Sequence, residues 1–401
     1  MSQFDRRGFL SRLLFGGAFA VGSGSVTAGT AVAQSSDGTV WTFDAGDAIE
    51  AAPDVADGSV YVPSNDGHVY AIDAESGEET WSFETGTRNG SSPTVVDGTV
   101  YVGCNDGTVY AIDADGGDER WSYSTGLAVR SSPAVADGIV YVGSRDDALH
   151  AIDAASGKNE WTFETGDSVS GSPIAAGGIV YFGSRDGTIY ALEAETGDEA
   201  WAVDTEESIS TTPAIHDAVV YVGASDETLY ALEAETGEEV WTFAADNTVG
   251  SPTVVEDTVY VGTYSDTVYA LDAAEGTEQW SVDTSGSVLT APALVDDTVI
   301  VSSGDSLYAI DAEAGEVAWT FETGDTVRSP TTTANGIVYA GSWDETLYAL
   351  EADAFPLTND DPIDDPGGSD GIPAPGVLGA LAGFGTISYL LSRRRADADD
   401  R

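Results

Sequence analysis

Basic side chains are scarce in this sequence. Fourteen lysines and arginines stand against 69 aspartates and glutamates in 401 residues, the formal net charge is -55, and Lys158 is the only lysine. A nucleic-acid partner is excluded by that balance, because a phosphate backbone needs a basic face. Cysteine is reduced to Cys104, so no disulfide can form within the chain and none of the first residues offers a thiol for lipid attachment. The three histidines, His68, His150 and His216, fall at different positions of the pattern described below. They read as surface or packing residues and not as a metal centre. Nor does the body of the sequence leave room for a ten-residue helix between turn signals, which excludes a parallel α/β sheet.

What is present is a tryptophan at an almost constant interval. Trp41, Trp81, Trp121, Trp161, Trp201 and Trp241 are spaced by 40 residues, and Trp280 and Trp319 follow at intervals of 39. A fixed period of that length marks an array of one supersecondary unit. Within the unit from Ser91 to Gly126, Val95, Val96, Val100, Tyr101, Val102, Val109, Tyr110 and Ile112 supply β-branched and aromatic residues. Asp97-Gly98, Asn105-Asp106-Gly107 and Gly116-Gly117 punctuate them. Four short strands follow, here named A to D: A near Pro93 to Val96, B over Thr99 to Gly103, C over Thr108 to Asp113 and D over Arg120 to Ser124. Units of about 40 residues with four strands predict an all-β fold, a β-propeller of four-stranded antiparallel blades.

The two ends of the array complement one another. Trp41-Thr42-Phe43 is a D strand without A, B or C before it, whereas the last unit stops at Tyr348-Ala349-Leu350-Glu351 without a D strand. If the N-terminal strand completes the last blade, eight full blades close into a ring and no sheet edge is left unpaired at the seam.

The stretch Ala71-Ile72-Asp73-Ala74-Glu75-Ser76-Gly77-Glu78-Glu79-Thr80-Trp81 resembles the tryptophan-docking motif of the PQQ-like, or quinoprotein, repeat family, with Ala first, Asp third, Gly seventh and Trp eleventh. It recurs up to Trp121, Trp161, Trp201, Trp241, Trp280 and Trp319; Glu193 and Glu233 replace the third-position Asp. The resemblance covers residues 40–352. It implies an eight-bladed propeller in which the tryptophans, from Trp41 to Trp319, pack between neighbouring blades as core and not as a ligand cage.

The family's quinone-dependent alcohol dehydrogenases have insertions between blades, a vicinal disulfide and calcium ligands. A chain with one cysteine and units of near-constant length resembles instead the non-enzymatic branch, such as the outer-membrane-assembly scaffold, which binds protein partners. No cofactor and no catalytic residue is therefore expected, and the ring is expected to be monomeric. A quinone-dependent dehydrogenase and a carbohydrate or small-anion receptor are the alternatives. One aspartate recurs in each B to C loop, at Asp66, Asp106, Asp146, Asp186, Asp226, Asp266, Asp305 and Asp344. Such a ring can hold cations, or each aspartate can cap its own turn.

Both termini bear on location. Around Arg6 and Arg7, Asp5-Arg6-Arg7-Gly8-Phe9-Leu10 resembles a twin-arginine export signal, and Ala31-Val32-Ala33 offers a cleavage site, so 1–33 reads as a signal peptide. An acidic, proline-rich linker, 353–371, leads to an uncharged stretch of 20 residues, Ile372 to Leu391, followed by Arg393-Arg394-Arg395. The 372–395 segment reads as a membrane anchor or sorting signal with a basic stop. The expected location is the extracellular face of the cell membrane. Between 41 and 352, 58 acidic side chains face seven basic ones. Charge repulsion of that size is tolerable where salt is molar and the screening length is about 3 Å, which predicts a halophile.

The seven basic residues are unevenly placed. Arg88, Arg130 and Arg328 fall in D to A loops, and Arg145 and Arg185 in B to C loops, two loop types that share a face in an up-and-down blade. That face is predicted to contact an envelope protein or glycan, with Tyr264 and Trp343 adding stacking area. The opposing reading pairs Arg145 with Asp146 and Arg185 with Asp186 as local ion pairs.

Overall fold

A computed structural model describes residues 38–352, apart from Glu206. The expected signal peptide, linker and anchor lie outside the described residues. Among the described residues, no helix is long and apolar enough to cross a membrane.

Among the described residues, thirty-two strands form eight separate four-stranded antiparallel sheets. In blade 2, strand A is Thr94–Val96, B is Thr99–Gly103, C is Thr108–Asp113 and D is Glu119–Ser124. The A to B connection is a two-residue hairpin in which Asp97 and Gly98 both have positive φ, 49° and 68°. That conformation matches the strand twist, and Asp-Gly adopts it readily. Burial peaks in the middle strands of each blade and falls toward both edges, the innermost strand A being only partly buried. Strand B of blade 2 is buried along its whole length, whereas strand D alternates and carries exposed Glu119 and Arg120. Charges on that outermost strand discourage edge-to-edge pairing with another chain.

The last sheet has the order Thr39–Asp44, Thr346–Glu351, Ile337–Gly341, Thr332–Ala334. Its D strand thus comes from the start of the array. Trp41 pairs with Ala349 and Phe43 with Leu347 across that seam. Innermost strands also meet around the ring: Thr332 Oγ1 of blade 8 donates to the carbonyl of Pro53 before strand A of blade 1 at 2.5 Å. Eight blades therefore close as the sequence predicts.

The core is divided among the junctions. One hydrophobic layer joins Trp41, Tyr339, Leu347 and Ala349 of blade 8 to Ile49, Val60, Val62 and Ile72 of blade 1, and equivalent layers lie between the other blades. The same lock recurs from junction to junction. The indole Nε1 of Trp81 donates to the carbonyl of Ala114 in the next blade at 2.9 Å, and Trp121 does so to Ala154 at 2.8 Å. Trp161, Trp201, Trp241 and Trp280 repeat the bond to Ala194, Ala234, Ala273 and Ala312. A strand B tyrosine joins the same acceptor: Tyr141 and Trp161 both donate to Ala194. Trp121, Trp201 and Trp241 are buried and Trp81, Trp161 and Trp280 partly buried at these junctions; the tyrosine partner is legible only in three dimensions.

Candidate functional site

The loop face is assembled by a repeated backbone hydrogen bond. After strand B, the amide of Arg145 donates to the carbonyl of Ala128 in the D to A loop at 3.0 Å, and that of Arg185 donates to Ser168 at 3.0 Å. Asn105 donates to Arg88, Tyr264 to Thr248 and Trp343 to Thr326 in the same manner. Two loop types are thereby held side by side, blade after blade. The residue at the end of strand B explains why glycine is needed there. A Cβ on Gly103 would lie 2.3 Å from Cγ1 of Val129, which is fully buried. Val129 wedged in that notch sets the backbone direction of the next residue, Arg130.

Five of the recurrent aspartates hold their own turns. Asp106 accepts from the amide of Thr108 at 2.8 Å, and Asp66, Asp186, Asp226 and Asp344 accept from the amide two residues on. In Asp66, Asp186, Asp226 and Asp344 the second oxygen is also engaged: Asp186 Oδ2 accepts from Tyr190 Oη at 2.9 Å and from the amide of Gly166 at 2.7 Å. Among the described residues, no three His, Cys, Asp or Glu side chains gather as a metal site. In blade 3, His150 replaces the tyrosine. It is buried, with Nε2 at 3.1 Å from Asp146 Oδ2 and Nδ1 at 3.2 Å from Tyr123 Oη of blade 2, so it is a junction residue.

Among the described residues, the arginines of the face have no carboxylate within ion-pair distance, although the charge of Arg185 acts on Asp167. Arg145 makes no ion pair with Asp146, nor Arg185 with Asp186; the local-pairing reading does not describe this site. Arg130 Nε donates to Asn105 Oδ1 at 3.2 Å and Arg185 Nε to Ser210 Oγ at 3.4 Å. Arg328 lies over the Trp343 ring, with its guanidinium carbon 4.7 Å from the centroid. Arg120, in strand D beside the opposite face, does pair, with Asp113 at 2.8 Å. Partial desolvation pushes Arg130 below the usual guanidinium range, and Arg145 adds to this, as do Arg185 and Arg88; Glu50 opposes them. The charges of Arg88, Arg145 and Arg185 all act on Arg130, and Arg328 stacks on Trp343.

Apolar exposure concentrates on the same face. Of six exposed large hydrophobic residues among the described ones, Leu127, Tyr264, Leu289 and Trp343 lie in its loops; Val240 and Val317 belong to outer strands. Tyr264 is 59% exposed. Around the ring the chemistry is divided: arginines occupy the loops of blades 2 to 4, and Tyr264, Leu289, Trp343 and Arg328 those of blades 6 to 8. Leu127, Leu289 and Glu50 were not singled out from the sequence. For Glu50 and Leu289 the signal was positional, since they share with Arg130 one register just before strand A in different blades.

Comparisons with known proteins agree with this architecture. The family described as "Outer membrane protein assembly factor BamB" matches residues 11–133, 105–241, 185–304 and 289–355. Among solved structures, the computationally designed Ika8 protein superposes with a TM-score of 0.70 at 21% identity, covering 78% of this chain and 98% of that one. BamB from Moraxella catarrhalis superposes with a TM-score of 0.70 at 20% identity, covering 78% of this chain and 99% of its own. At those identities the likeness is one of fold. No curated protein matches the chain.

Proposed function

This chain belongs to the family of the outer membrane protein assembly factor BamB, and from that premise we propose that it is a non-catalytic recognition propeller, a scaffold that binds envelope proteins or glycans through its D to A and B to C loops. One observation carries the reading: in a chain with 69 acidic residues, five arginines collect on a single face and, among the described residues, none has a carboxylate within ion-pair distance, although Glu50 acts on Arg130 and Arg185 on Asp167 through space. Exposed guanidinium groups left unpaired beside exposed aromatic rings are what recognition surfaces present. The near-constant unit length supports the absence of catalysis, because no insertion forms a lid over the ring.

The test is photocrosslinking in intact cells at their native salt. A crosslinker placed at Trp343 or Arg88 is expected to yield a discrete adduct, whereas one at Arg120 or Lys158 is not; adducts of equal yield from both sets would overturn the assignment of the face. The same reading places the ring outside the cell, exported through the Arg6-Arg7 signal and tethered by residues 372–395. Replacing Arg6 and Arg7 with lysine is then expected to leave the precursor in the cytoplasm, and undiminished export would contradict that location.

A further inference from the structure

We propose that the basic sector of the loop face, Arg88, Arg130, Arg145 and Arg185, binds an anionic glycan and holds its repeated carboxylate or sulfate groups. The proposal rests on the recognition face argued above and names its ligand class. Three observations carry it. First, Arg145 and Arg185 occupy one register in successive blades, each fixed by a backbone bond to the adjoining D to A loop at 3.0 Å. A polymer with an anion on every residue matches cations repeated at a fixed blade interval; a folded protein surface has no such period.

Second, the guanidinium groups have donors to spare. Arg130 and Arg185 each place Nε on a neutral oxygen, of Asn105 and Ser210, which anchors the planar group and leaves its terminal nitrogens free among the described residues. Arg88 and Arg145 have no side-chain hydrogen bond there. A planar fork of donors grips a carboxylate or sulfate through paired hydrogen bonds, which persist at molar salt where bare Coulomb attraction is screened within about 3 Å. Third, this sector has little apolar surface. Leu127 is its one exposed large hydrophobic residue, whereas a protein interface is centred on buried aromatic or aliphatic anchors. The sector therefore favours a sugar acid over an acidic protein segment.

Glu50 sharpens the prediction. It occupies the register of Arg130 in the first loop, and its charge acts on Arg130. Its charge opposes the ligand.

The experiment uses the full chain in molar potassium chloride, with an oligogalacturonate as probe, its carboxyl-reduced neutral form as one control and an oligoglutamate of equal charge as another. The oligogalacturonate is expected to bind and the neutral form not. Arg130→Gln with Arg145→Gln is expected to weaken binding by about tenfold or more, Arg120→Gln to leave it unchanged, and Glu50→Gln to tighten it. Tryptophan emission confirms that each variant is folded. Equal binding of the neutral form, equal or tighter binding of the oligoglutamate, equal loss from Arg120→Gln, or no binding of the oligogalacturonate would each overturn the proposal. If crosslinks still form at Trp343 while the oligogalacturonate fails, the recognition reading stands and the ligand class falls.

Discussion

The indole of Trp41 donates to the carbonyl of Ala74 at 3.0 Å, and this bond joins the strand that completes the last blade to the first blade. The ring is thus sealed by two contacts that meet in one residue: Trp41 belongs to the blade 8 sheet through Ala349 and to the blade 1 junction through Ala74. In Trp41→Ala the buried ring is lost, a change of about 3–5 kcal/mol for a core aromatic. The distinctive outcome is local. Hydrogen exchange in Thr346–Glu351 is expected to speed up in Trp41→Ala, but not in Trp201→Ala, which loosens a junction half a ring away. Equal protection of that strand in both variants would show that the seam does not depend on Trp41.

Glycine at the C to D turn answers two constraints. Gly117 has φ +72°, and a Cβ there would lie 2.8 Å from Cδ2 of Trp81, whereas Gly98 has φ +68° and nothing nearer to its Cβ position than Arg120 Nη2 at 3.9 Å. Gly98→Ala is expected to cost about 1–2 kcal/mol from backbone strain alone. Gly117→Ala adds a displaced indole, and overpacking of that kind costs about 1–3 kcal/mol more. Thermal unfolding of the two variants measures the difference; equal losses would mean the indole yields without cost.

Alkaline pH is expected to open the junctions. Burial raises the phenols of Tyr141, Tyr181 and Tyr221 from 10.0 to about 12. Each hydroxyl donates to a carbonyl of the next blade at 3.0 Å. Because the folded value lies above the unfolded one, the folded state binds these protons more tightly. Their stabilisation is complete below pH 10 and is lost as pH rises toward 12. Denaturant midpoints measured across that window should fall together with growth of tyrosinate absorbance. The triple Tyr→Phe variant should show a shallower fall, and an unaltered slope would assign the alkaline loss to other groups.

Salt is expected to govern stability. With 58 acidic against seven basic side chains between 41 and 352, self-repulsion grows as the screening length rises from about 3 Å in molar salt to above 10 Å near 50 mM. Tryptophan emission reports blade separation, since the indoles sit at the junctions. Unchanged emission and melting temperature after dialysis to about 50 mM salt would show that the acidic surface serves another purpose.

The period of the tryptophans, the strand alternation and the complementary half-blades at the two ends determined blade number, strand order and closure from the sequence alone, because each is a local pattern repeated at a fixed interval. Glycine at the C to D turn was legible as a positive-φ residue, yet its second role, as the floor under the preceding tryptophan, depends on the neighbouring blade. The arginines could be assigned to a face by counting loops. Whether Arg145 and Arg185 are neutralised by the aspartates beside them could not be read from adjacency. Asp146 is turned toward His150 and the amide of Gly126, and Asp186 toward Tyr190 and the amide of Gly166. Only the tertiary structure decided this, because a side chain pairs with what lies nearest in space. The competing donors come from the adjoining strand and the neighbouring loop, and they take the aspartates and leave the guanidinium groups open.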